Sequence, residues 1–162
     1  ARPEGAHHSH MNKQPNSRQC FVCGIENPIG LHLKFYETGP GEVTADYIAP
    51  EHFQGYPGVL HGGIVATILD ETAGRALMGD SPPRFMFTAK LEVRYRKNVP
   101  VGQPLKIVGR AGKDKGRIAE ATSAIYSQDG TLLAEANALL INLPESPDPN
   151  ILEKLGWKVY PD

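Results

Sequence analysis

The chain has 162 residues, with 17 Lys and Arg against 18 Asp and Glu, for a formal charge of −1. That length suits one domain, and the even balance gives no global attraction to nucleic acid or to an anionic membrane. No apolar run approaches the roughly 20 residues of a membrane-spanning helix and the start lacks a signal-peptide core, so the chain reads as soluble and cytoplasmic.

The opening stretch ARPEGAHHSH reads as an expression remnant ahead of Met11, so His7, His8 and His10 carry no metal argument. Residues 1–19 read as this remnant plus a flexible lead-in, 20–143 as the domain, and 144–162 as a tail with a possible short helix. The segment CFVCG then sets Cys20 and Cys23 at a spacing that suits half a zinc site or a redox pair. A structural zinc site wants four ligands, no second pair exists, and no βαβ context follows. The preferred reading is two small buried residues in a tight Gly-ended turn, with no metal and no cofactor.

Alternation with a period of two then predicts strands over 30–37 and 42–49, joined by TGPG as a hairpin. A loop over 50–60 leads to one helix. Further strands are predicted over 85–99, 104–113, 117–127 and 132–143, with connections short enough for antiparallel neighbours. An antiparallel sheet of about six strands with a single helix must bury one face on it, which gives an α+β domain curled around a central helix.

That helix begins HGGIVATILDE. Ile64, Val65, Ala66, Ile68, Leu69, Ala73, Ala76 and Leu77 cover more than an ordinary apolar stripe, as befits a central position. Glu71 and Arg75 stand four apart and predict an ion pair along the helix. Asp70 has Ala66 and Gly74 at the same spacing, so its carboxylate lacks such a partner and is the stronger functional candidate. Gly62 and Gly63 fit a plain tight turn, and they also fit an exposed helix N-terminus whose amides could hold a carbonyl oxygen that gains charge. Gly62 and Asp70 are eight residues apart, about 12 Å along one helix, and cannot both touch one reacting carbon. Joint action therefore predicts a homodimer in which Asp70 comes from the second chain.

The pattern PGVLHGGIVATILDE, with FTAKLEVRYRKNVPVGQPL and ATSAIYSQDGTLLAEANALLIN, resembles the hotdog-fold acyl-CoA thioesterases of the phenylacetate-degradation type, which include the mammalian THEM group. CFVCGIENPIGLHL resembles the opening segment of many bacterial members. The resemblance implies a hotdog fold and hydrolysis of an acyl-CoA to free acid and CoA, in a homodimer or a dimer of dimers. It implies that the Gly62 amide polarises the thioester carbonyl, with His61 orienting the site or bonding that oxygen. Asp70 of the partner chain would be general base or nucleophile, and Thr88 matches a Ser or Thr that positions water. Gln54 is the nearest candidate for the family's amide side chain in the preceding loop, although Gly55 stands close to the aligned place.

CoA phosphates need cations, and between Arg84 and Arg117 there are ten Lys or Arg and only two acids. Alternation puts Lys90, Arg94 and Arg96 on one face and Lys97 on the other. Arg96, Lys97 and Lys113 are the phosphate candidates, against the alternative of a solvated sheet face. The same fold admits two further readings. An enoyl-CoA hydratase wants an Asp and a His together, whereas His61 sits at the helix start. A non-catalytic acyl-CoA sensor wants an effector module, and no helix-turn-helix or second domain is visible.

Overall fold

Segments in which apolar and polar residues alternate pair into one antiparallel sheet, because each can bury one face and wet the other. The computed structural model describes residues 12–79, 82–143 and 148–162. Its strands are β1 (Asn12–Lys13), β2 (Tyr36–Gly39), β3 (Glu42–Ile48), β4 (Met86–Tyr95), β5 (Pro104–Asp114), β6 (Ile118–Ser127) and β7 (Leu132–Asn142). Helix α1 (Gly62–Leu77) lies between β3 and β4, and a short α2 (Ile151–Leu155) follows β7. The sheet order is β1-β2-β3-β5-β6-β7-β4, so β4 forms an edge and pairs only with β7. The proposed tag remnant at 1–10 lies outside the described residues.

Helix α1 packs on β5, β6 and β7. Its Val65, Ile68, Leu69 and Ala73 are buried, and the Ser123 hydroxyl of β6 donates to the Leu69 carbonyl at 2.7 Å. Helix and sheet approach closely at Gly109 of β5, where a Cβ would stand 2.6 Å from the Thr72 carbonyl oxygen. Only glycine admits that approach. Gly63, Thr67, Asp70 and Gly74 are not buried, and their spacing of three and four sets them along one open stripe of the helix.

Two expectations need correction. The strand predicted over 30–37 is regular only from Tyr36. Leu31, Leu33 and Phe35 are buried in alternation, but Leu31 and Leu33 donate to the carbonyls of Phe21 and Val22, in a turn that cannot continue as a ladder. The expected sheet of about six strands is present, and the two-residue β1 brings it to seven among the described residues.

The domain also reaches beyond 20–143. Gln14, Asn16 and Ser17, placed in a flexible lead-in, are buried, and the Asn16 side chain donates to the Cys23 and Leu33 carbonyls. The tail folds back to meet them: Asn16 and Lys158 form a bridge, and Trp157 packs edge-on against Phe85 at 5.2 Å. Between them lies Arg75, only 1% exposed, with its guanidinium 4.8 Å from the Phe35 ring centre and 4.9 Å from that of Trp157. It donates to the Pro15 carbonyl at 2.6 Å and makes the expected pair with Glu71 at 3.2 Å.

Candidate active site in two halves

The first half is the N-terminus of α1. His61 is its N-cap, in extended backbone at ψ 134, and its Nδ1 accepts the Gly63 amide at 2.9 Å. An accepting Nδ1 carries no proton, so the neutral ring keeps its hydrogen on Nε2. The Ile64 and Val65 amides both donate to the His61 carbonyl. A helix starts with free N–H groups; here the amides of Gly63, Ile64 and Val65 are occupied, and that of Gly62 meets no acceptor among the described residues. The structure thus separates the two glycines: Gly63, expected to present an amide to substrate, spends it on the cap. The Tyr95 hydroxyl donates to the Gly62 carbonyl at 2.7 Å and holds this peptide from the sheet side.

His61, Gly62, Tyr95, Arg96 and Lys97 line a common cavity of about 590 Å³. Alternation would have parted Arg96 from Lys97, but both amides donate to the single carbonyl of Leu133, a bulge that breaks the period. Arg96 is paired with Glu135 at 3.0 Å, whereas Lys97 has no acidic partner among the described residues. Gln54 lies beside His61 and Gly63 in an adjoining depression, with its side-chain oxygen taken by the Gly58 amide at 3.0 Å. Lys113 is elsewhere. It lies towards the far end of β5, whereas the register across β7 and β6 brings Tyr95 level with Ile107 of that strand. At about 3.4 Å per residue, Lys113 is some 20 Å from the cavity level.

The second half surrounds Asp70, two turns along α1. The Thr88 hydroxyl donates to Asp70 Oδ1 at 2.5 Å, which supplies the partner that the helix itself lacks. A bulge lies next to this contact. Thr88 pairs with Leu140 and Lys90 with Leu139, leaving Ala89 as an extra residue. Strict alternation from the half-buried Leu91 and Val93 would turn Thr88 outward, and the extra residue turns it back towards α1.

Asp70 and Thr88 line a cavity of about 230 Å³ together with Cys20, Cys23, Glu71 and Trp157. Burial pushes the Glu71 carboxyl up, against the pull of Arg75. Cys23 is held down at about 5, chiefly by a hydrogen bond from the Cys20 thiol and further by Arg75 and Ser17, while Cys20 is pushed up by the same bond and by burial. No residue lines both this cavity and the one at Gly62.

Residues 57–134 match the model of the thioesterase superfamily. The fold is that of the hotdog thioesterases. A solved thioesterase superfamily protein aligns with a TM-score of 0.71 and 27% identity, covering 77% of this chain and 61% of its own. A protein from Streptococcus mutans, solved bound to acetyl-CoA, aligns at 0.63 with 20% identity over 71% of this chain and 91% of its own. The rat acyl-coenzyme A thioesterase THEM4 is 31% identical over 138 residues, 83% of this chain and 59% of that protein. The chain spans about half to three fifths of the length of the curated relatives it matches.

Sequence reading missed Tyr95, and it missed that Cys20, Cys23 and Glu71 share a cavity with Asp70. Tyr95 stands one residue before the basic pair, but nothing local says that its hydroxyl meets α1. The turn at Cys20 is remote in sequence from the helix, so no periodicity could join them. Among the described residues, no helix is long and apolar enough to cross a membrane.

Proposed function

We propose that this chain is an acyl-CoA thioesterase working as a homodimer, each active site combining Gly62 of one protomer with Asp70 of the other. The observation that carries this reading is the division of the catalytic groups. A free amide and a carboxylate lie eight residues apart on one helix, about 12 Å at 1.5 Å per residue, in separate cavities. Two antiparallel helices would bring them together. The open stripe of α1 through Gly63, Thr67, Asp70 and Gly74 supports such a contact, as does the edge strand β4, with Phe87 and Tyr95 each more than half exposed. An edge of that length invites pairing with a second copy.

In this site the Gly62 N–H donates to the thioester carbonyl oxygen and stabilises the negative charge it gains on attack. Asp70 acts as general base: Thr88 occupies Oδ1, leaving Oδ2 to take a proton from water. Hydroxide adds to the carbonyl carbon, the C–S bond breaks, and the proton passes to the departing CoA thiolate. Lys97 and Arg96, beside Gly62, offer charge to the CoA phosphates. His61 is committed through Nδ1 to capping the helix and is nine residues from Asp70, which speaks against an Asp–His hydratase pair within one chain.

Subunit complementation tests the whole reading. Gly62→Pro removes the amide alone, since proline suits the first helical position and the extended His61 before it. Chains carrying Asp70→Asn and chains carrying Gly62→Pro are expected to be nearly inactive in thiol release from short, long and aromatic acyl-CoAs. Mixed through unfolding and refolding, they should recover roughly a quarter of wild-type activity, because half the dimers would then hold one intact composite site. No recovery would overturn the shared site. Binding of acyl-CoA by the wild type without thiol release would overturn hydrolysis and favour a sensor, and a hydrated thioester product would favour a hydratase.

A further inference from the structure

Two thiols three residues apart make half a metal site, and the tertiary fold brings a third ligand. The Cys20 and Cys23 sulfurs and a Glu71 carboxylate oxygen all lie within 4.8 Å of one another. The two cysteines sit in a single turn closed by the Gly24 amide on the Cys20 carbonyl at 2.8 Å. A Cβ on Gly24 would stand 2.4 Å from that oxygen, so the turn requires glycine. Both sulfurs face donors. The Val22 amide donates to Cys20 Sγ at 3.3 Å. Ser17 Oγ accepts the Cys20 amide at 3.1 Å, which leaves its hydroxyl hydrogen for Cys23 Sγ at 3.4 Å. Donors aimed at sulfur suit thiolates.

We propose that Cys20, Cys23 and Glu71 hold one zinc-class divalent ion, with its fourth position opening into the cavity that contains Asp70. Charge supports it. Two thiolates and a carboxylate sum to −3; a divalent ion and the buried Arg75 supply +3, so the enclosed cluster becomes neutral with every ligand ionised. Arg75 Nε bonds one Glu71 oxygen at 3.2 Å, which leaves the other uncommitted and fixes the carboxylate's orientation, as outer partners of metal ligands do. Sulfur ligands select zinc over magnesium or calcium. Tetrahedral ligands at about 2.3 Å from the ion are separated by about 3.7 Å, and small side-chain rotations within the 4.8 Å cluster reach that spacing. The expectation of no metal counted only the cysteines; Glu71, the residue after Asp70, changes the count. The ion would fasten the N-terminal turn to α1 beside the proposed base.

The test is cobalt(II) titration of the reduced full chain. A thiolate-to-cobalt charge-transfer band is expected to saturate at one equivalent per chain and to bleach on adding zinc. The histidines at 7, 8 and 10 can bind cobalt but cannot give a thiolate band. Cys23→Ser should abolish the band, and Glu71→Gln should weaken binding on the order of tenfold. A second measurement needs no variant: one equivalent of zinc should protect both thiols of the native chain from alkylation. Absence of the band, its persistence in Cys23→Ser, unchanged alkylation with zinc, or a Cys20–Cys23 disulfide that takes up no metal after reduction would each overturn the site.

Discussion

The two ends of the working stretch of α1 are built from opposite materials. At Gly62 the chemistry is backbone: an unpaired amide, a histidine cap and a neighbouring pair of cations. At Asp70 it is side chain: a carboxylate aligned by a hydroxyl, next to two thiols and a second carboxylate. One end offers positive charge to an oxygen, and the other offers a base. In the proposed reaction neither end suffices alone, and the helix that carries both also keeps them apart. On that reading the reacting unit is larger than the chain.

Substitutions at each end should therefore fail in different ways. Asp70→Asn should lower kcat by roughly 10²- to 10⁴-fold, the scale for removing a general base, while calorimetry still detects CoA binding. Gly62→Pro should cost about 10²- to 10³-fold in kcat with the helix intact by circular dichroism, as for loss of one oxyanion donor. Equal turnover in either variant and the wild type would dissolve the distinction between the halves. Thr88→Ala should cost about tenfold in kcat, since a hydrogen bond to a charged group contributes about 1.5–3 kcal/mol and water can replace part of it. Lys97→Ala should raise KM a few-fold at low salt and lose that effect as ionic strength rises, because an exposed charge is screened beyond about 10 Å at 0.1 M salt. A kcat loss in Lys97→Ala would move that residue from binding into the reaction.

The sequence carried the helix and the long strands because their apolar periodicity is a property of single segments. Glu71–Arg75 was legible for the same reason: both residues stand on one helix face, and the pair is present at 3.2 Å. The mismatch at Asp70 was visible as a missing neighbour. What answered it was not: Thr88 came to notice through family resemblance alone, and alternation counted through the extra residue Ala89 turns it away from Asp70. Arg96 and Lys97 reach one cavity through a second bulge. Cys20, Cys23, Trp157 and Arg75 converge from both ends and the middle of the chain, and such closures depend on packing across sequence distance. The N-terminal segment looked free for that reason, since its partners lie in the tail.

Ala89 sets β4 in two phases. After it, Leu91 and Val93 follow the demands of the core; before it, Thr88 follows the demand of Asp70. The halves of the strand answer to different masters, and the spare residue lets them be revised separately. A deletion usually ruins a strand by turning its remaining side chains over. Here, removal of Ala89 would keep Thr88 opposite Leu140 and Lys90 opposite Leu139, the pairings they already have. In a strand otherwise intolerant of a changed length, this is the place where its length is free to vary.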